Sequence, residues 1–158
     1  FPAGIGAKGN EGVANNVMQT KGSIGYVEYA YAKQNKLSHT KLINKDGKTV
    51  APVKEAFQAA AANADWASAP GMGVILTDEP GAESWPVTNP TFILIHKKPK
   101  DIAAAKDALK FFDWAYTNGS AEAEALDYVP LPAGVVAQIK KSWADIVGED
   151  NKPVFATN

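Results

Sequence analysis

Arginine is absent from this chain, whose 16 basic residues are all lysine. A planar guanidinium is the side chain that grips phosphate or carboxylate through two parallel N–H donors. This sequence has no such grip of its own. Cysteine is also absent, which excludes disulfides, thiol nucleophiles and Cys-ligated zinc, and fits an oxidising compartment. Charge of one sign is not in excess: 16 lysines against 17 acids leave a net charge of −1. No electrostatic drive toward nucleic acid or an anionic membrane follows from that balance. The longest apolar runs fall well short of the ~20 residues that span a bilayer, so no direct membrane insertion is expected. A signal-peptide pattern is missing, and the chain opens on Phe1-Pro2 without an initiator Met; a processed or truncated product is expected. There is no G-x-S-x-G elbow and no Walker loop.

What is present is globular in character: 46% of the 158 residues are apolar and 21% charged, enough for one ordinary core. The stretch Trp85–Lys98, WPVTNPTFILIHKK, divides the chain. Thr91-Phe92-Ile93-Leu94-Ile95-His96 is a continuous apolar run that predicts a strand buried on both faces, as at the centre of an α/β sheet. Pro86 and Pro90 hold the residues before them extended, so 86–90 reads as a connector feeding that strand.

Before the connector, Asn10 is the expected N-cap of a helix from Glu11 to about Thr20, with Val13, Ala14, Val17 and Met18 on its apolar stripe. Ser23–Glu28 reads as a short strand, Tyr29–Asn35 as a helical turn or two. Residues 37–44 carry a weak strand signal, and Asp46-Gly47 predicts a tight turn and a small hairpin with Thr49–Ala51. Pro52 suits the first position of a helix running from Val53 to about Ala64, with Val53, Phe57, Ala60 and Ala64 on one face. Gly71–Thr77 reads as a strand and 78–81 as a turn. After the connector, Ile102, Ala105, Leu109, Phe112 and Tyr116 follow the helical period, and Asn118-Gly119 predicts a left-handed stop. A short helix is expected over 120–127 and a last one over 133–147, burying Val136, Ile139, Trp143 and Val147. The tail from Gly148 reads as loosely held.

Candidate chemistry is sparse. Gly4-Ile5-Gly6-Ala7-Lys8-Gly9 matches G-x-G-x-x-G before a helix, with Glu28 at a ribose-binding distance, but lacks the strand that a dinucleotide site needs ahead of its first glycine. A flexible loop entering a helix accounts for it. His39 and His96, the only two histidines, have no metal-like spacing to an acid; His96 closes the expected central strand, where a single satisfied hydrogen bond explains it. Asp78 and Glu79 are adjacent acids that suit either acid–base work or a solvated turn beside Pro80-Gly81. Asp107 and Asp113 read as a solvated helix face. Tyr26, Tyr29 and Tyr31 form either an aromatic platform or packing rings at a sheet edge. Asn118-Gly119-Ser120 matches the glycosylation sequon at a helix stop.

Longer motifs go further. Lys8–Ala14, KGNEGVA, and Gly22–Ala32, GSIGYVEYAYA, closely resemble the phosphate-binding proteins of bacterial phosphate ABC transporters. So do Leu76–Val87, Thr91–His96, Leu109–Tyr116 (LKFFDWAY) and Leu126-Asp127-Tyr128, in the family's order. The resemblance covers nearly this whole chain but about half of the family protein. It implies an α/β fold of the periplasmic-binding-protein type II kind, with parts of two α/β domains joined by hinge crossing strands. Residues 1–85 would be the C-terminal part of the second, inserted domain, 86–90 a hinge connector, and 91–158 the C-terminal part of the first domain. The function implied is binding of inorganic phosphate in the periplasm and its delivery to a membrane ABC permease, with no bond made or broken and no cofactor. The family's ligand set comprises two early loops, an acidic residue and an Arg-x-x-x-Ser-Gly-Thr segment. All of these align before Phe1, so no catalytic, metal or phosphate-binding residue is assigned to this chain. Its expected share is scaffold, hinge and docking surface, with the N-terminal half possible as a separate chain. Two other readings stay open: a phosphatase-like hydrolase using His96 or the Asp78–Glu79 pair, and a protein-interaction module using an exposed half-sheet or the tyrosines.

Overall fold

The structure, a computed structural model, describes residues 3–156; the Phe1-Pro2 opening and the last two residues of the tail lie outside them. Helix α1 runs Gly9–Gln19, α2 Tyr29–Gln34, α3 Lys54–Asn63, α4 Ile102–Asn118, α5 Ser120–Ala125 and α6 Ala133–Ser142. Strands β1 (Leu42–Ile43) and β2 (Thr49–Val50) pair antiparallel, Leu42 opposite Val50 and Ile43 opposite Thr49. The mixture of helix and strand is therefore as expected.

Several elements differ from the sequence reading for identifiable reasons. Helix α1 starts ahead of Asn10, with Lys8 in the extended cap position. Asn10 instead accepts the Glu28 amide at 3.0 Å, tying the end of the 23–28 run to the helix start. That run is irregular and mostly exposed rather than a paired strand. Gly25 lies so close to α1 that a Cβ there would sit 2.7 Å from Val17 and 2.9 Å from Val13. Pro52 stays outside α3: Val53 caps it, its carbonyl closing the first turn onto the Ala56 and Phe57 amides. The buried face of α3 is alanine, at positions 56, 60 and 61, while Val53 is largely exposed.

The two expected apolar strands are the largest corrections. Residues 70–72 form a 3₁₀ turn, and the run after it makes only one bridge, Thr77 with Val87. Thr91–His96 has no regular secondary structure and belongs to no ladder among the described residues. Leu94 is 93% exposed, and Phe92 and Ile93 are about half exposed. A strand buried on both faces needs covering layers and paired neighbours, and here only Ile95 finds an apolar cluster.

Helix α4 is the best-formed element. Asp101 caps it, its carboxylate accepting the Ala104 amide at 2.9 Å. Gly119 is not left-handed (φ −87°); its amide bonds Ala115 O at 2.8 Å, and the chain passes almost directly into α5. The left-handed residue is Asp127, φ +65°, where α5 ends. Helix α6 tightens into a 3₁₀ turn over Trp143–Asp145; Trp143 is buried as expected, and Val135 and Ile146 are buried with it. Val136 and Val147 are only half-buried. The tail is held more firmly than its polarity suggests. Val154 donates to Ile146 O at 2.8 Å and is buried, and Phe155 meets Trp143 edge-on at 5.8 Å.

Three apolar clusters result among the described residues. Ala105, Leu109, Trp143, Ile146 and Val154 form the first; Ala61, Trp66, Leu76 and Val135 the second; Val50, Ala56 and Trp85 the third. Ile139 of α6 packs against both of the first two. One helix thus joins the part of the chain before the Trp85–Pro90 connector to the part after it.

Candidate functional site

Among the described residues, oppositely charged side chains from both parts of the chain converge at a seam between α2–α3 and α5. Tyr29 opens α2 and packs on Phe57 of α3 (centroids 5.6 Å), which in turn meets Trp85 edge-on at 6.3 Å. This aromatic row fixes α2 over α3. One turn after Tyr29, Lys33 projects from the same helical face and pairs with Asp127 just beyond α5. Lys54, first residue of α3, pairs with Glu124 of α5 at 2.7 Å. Gln58, one turn further on, donates to Pro130 O at 2.9 Å. Hydrogen bonds donated to the two carboxylates hold both ammonium groups above their ordinary value of 10.5, outweighing the opposing effect of desolvation. The pairs border an open cavity of about 210 Å³, lined by Tyr29, Lys33, Lys54, Glu124, Asp127 and Tyr128 among others.

This arrangement is neutral: two cations face two anions, each already engaged. It offers an incoming oxyanion no uncommitted positive charge. A second cavity of about 210 Å³ lies beside β2 and α3. Glu55 and Glu83 on its rim, with no basic residue lining it, make it unfavourable to anions.

The residues singled out from sequence are dispersed. His39 is exposed on the surface, its ring edge-on to Tyr29 at 5.7 Å. His96 is exposed at the end of the unpaired run. Asp78 is exposed with φ +57°, and its amide donates to Pro86 O at 2.9 Å. With Glu79 it belongs to the turn before the connector. Asp107 pairs with Lys110 on its own helix face, as a solvated face predicts. Asp113 does not: it reaches Lys140 of α6 at 2.6 Å and ties α4 to α6. The three tyrosines make no common platform. Tyr26 is 84% exposed, Tyr29 is packed, and the Tyr31 hydroxyl donates to Glu11 at 3.0 Å. The Gly4–Gly9 loop is irregular up to the start of α1. Among the described residues, no group of three His, Cys, Asp or Glu side chains is placed to hold a metal. No helix among the described residues is long and apolar enough to cross a membrane.

Sequence reasoning missed the seam because its partners lie 94 and 70 residues apart and each looks like ordinary surface charge. The one local signal was the Leu126-Asp127-Tyr128 motif.

A family model described as a PBP superfamily domain matches residues 2–118. The phosphate-binding protein PstS of Pasteurella multocida is 53% identical over 156 residues, which is 98% of this chain and 45% of that protein. PstS of Haemophilus influenzae is 54% identical over 89% of this chain and 42% of its own length. PstS of Xylella fastidiosa is 51% identical over 91% and 40%. The chain thus spans less than half the length of the relatives it matches.

Proposed function

The chain belongs to the PBP superfamily, and from that premise we propose that it serves a periplasmic carrier of inorganic phosphate as scaffold, hinge and docking surface. The carrier encloses phosphate by hydrogen bonds in a closing cleft and hands it to a membrane ABC permease. No bond is made or broken, so the chain is not an enzyme. Residues 1–85 and 91–158 belong to two α/β lobes, and 86–90 is a crossing between them. The groups that grip the anion come from polypeptide outside these 158 residues, with the N-terminal half as a separate chain one way to supply it.

The observation that carries this reading is the high identity, over nearly the whole chain, to proteins named for phosphate binding. The electrostatics agree with the proposed division of labour: arginine is absent, one cavity is charge-neutral and the other acidic. Titration calorimetry of the 158-residue chain with phosphate is the test. No saturable heat is expected at the micromolar level, where binding amounts to about 8 kcal/mol. Tight, phosphate-specific binding by this chain alone would overturn the assignment of the grip to other polypeptide.

A further inference from the structure

We propose that Lys33–Asp127 and Lys54–Glu124 form an electrostatic clasp that fixes the angle between the two lobes. The inference rests on the two-lobe reading above. Both lysines lie before the 86–90 connector and both acids after it, so each pair closes across the proposed boundary. The Gln58–Pro130 hydrogen bond crosses at the same place.

The α5 end of the clasp is built for position. Asp127 takes a left-handed backbone, φ +65°, which aspartate tolerates better than most residues. Its amide bonds Glu124 O at 3.0 Å, and the Tyr128 amide bonds Ala123 O at 2.9 Å. These two bonds close the turn that aims the carboxylate at Lys33, and only 13% of the Asp127 side chain is exposed.

The apolar contact below has a different character. Val135 of α6 sits in the cluster of Ala61, Trp66 and Leu76. Burial of that kind is non-directional: it keeps the lobes together without choosing their angle. Ion pairs with defined partners do choose it. Exposed pairs are individually weak and screened by salt, and the Lys54–Glu124 side chains are each 42% exposed. A contact that sets an orientation yet opens easily is what a hinged carrier requires.

The absence of cysteine permits clean labelling. Cysteines replacing exposed Lys45, in the hairpin turn, and Lys106, on α4, carry spin labels for pulsed distance measurement in the 158-residue chain. At low salt a narrow distribution is expected. The Lys33→Glu/Lys54→Glu double variant broadens or shifts it, as does 1 M salt. The exchanged pair Lys54→Glu/Glu124→Lys is narrower than Lys54→Glu alone, and amide protection at Tyr128 falls by about two- to five-fold per pair lost. If the double reversal unfolds the chain, Glu124→Gln/Asp127→Asn removes the charges and keeps the left-handed turn; its distribution must also broaden.

An unchanged distribution in charge-altered, folded variants overturns the clasp. A Pro86→Gly/Pro90→Gly variant separates the clasp from the two-lobe reading. Broadening there without broadening on charge reversal leaves the lobes and sinks the clasp. Broadening on charge reversal alone keeps the clasp and removes the hinge from 86–90.

Discussion

Asn44 is 5% exposed, and its side chain joins the β1–β2 hairpin to the 80–84 loop. Its Nδ2 donates to the carbonyls of Gly81 at 2.9 Å, Ala82 at 3.1 Å and Ser84 at 3.2 Å. Its Oδ1 accepts the amides of Asp46 at 3.1 Å and Lys48 at 3.0 Å. Two hydrogens shared among three carbonyls make at least one bond bifurcated, and both oxygen lone pairs are in use. Asn44→Ala removes all of this. The Asp46 and Lys48 amides lie in an exposed turn and regain water, whereas the carbonyls around buried Ser84 regain it incompletely. At about 1 kcal/mol per net bond, plus desolvation of what stays unpaired, the loss is about 2–4 kcal/mol. That corresponds to a fall of roughly 1–2 M in the urea midpoint for a slope near 2 kcal/mol/M.

Asn44→Asp is the sharper probe, because it keeps the two amide bonds but turns an oxygen toward three carbonyl oxygens. Burial and these dipoles raise the carboxyl's folded pKa above the unfolded value near 3.9. An acid raised on folding destabilises increasingly as pH climbs from the unfolded to the folded pKa, then levels off. The aspartate variant is therefore expected to match or exceed the alanine variant's stability near pH 4 and to lose ground by pH 7. An Asn44→Ala cost below about 0.5 kcal/mol, the range of ordinary surface changes, would refute this account. A pH-independent gap between the two variants would refute it equally.

Three further outcomes are expected. The backbone amide of Glu11, and after it the Tyr31 hydroxyl, hold the Glu11 carboxyl below its ordinary 4.5. Tyr31→Phe should move its NMR titration upward, and an unmoved titration would dispose of the bond. Because the folded pKa is the lower one, the associated stability is present above the unfolded pKa and fades as pH falls through the folded pKa. Gly25→Ala should push residues 23–28 off α1, costing about 1–3 kcal/mol in urea denaturation, with partial recovery on adding Val17→Ala; no recovery would place the strain elsewhere. Leu94→Lys should reduce self-association seen by light scattering at high concentration while leaving stability within about 0.5 kcal/mol, since charge on an exposed edge opposes strand pairing. Association unaffected by the lysine would exonerate that run.

Local signals were legible in the sequence where local physics decides. The Asp46-Gly47 turn, with Gly47 at φ +71°, produced the predicted hairpin, and the 3.6-residue period of Ala105, Leu109, Phe112 and Tyr116 produced α4. Boundaries failed where one side chain had a better partner than the cap it was assigned. Asn10 bonds a distant amide; Pro52, expected at the first helical position, instead lies one residue ahead of the Val53 cap. The seam was illegible because a lysine bound for a carboxylate 94 residues away has the same local sequence pattern as one bound for water.

The Thr91–His96 run shows the deeper limit. An uninterrupted apolar stretch states what its side chains require, which is cover on both faces and a hydrogen-bonded neighbour on each edge. It does not state what supplies them. The described residues meet that requirement for Ile95 alone, through the cluster around Leu109 and Trp143, and leave its neighbour Leu94 93% exposed. Phe92 at 47% and Ile93 at 52% exposed are covered about equally little, so the run as a whole has no buried face. Sequence fixes the demand residue by residue, while satisfaction is a property of everything packed around it. A reading based on demand therefore names the residues that need cover, and not what this stretch of chain finds.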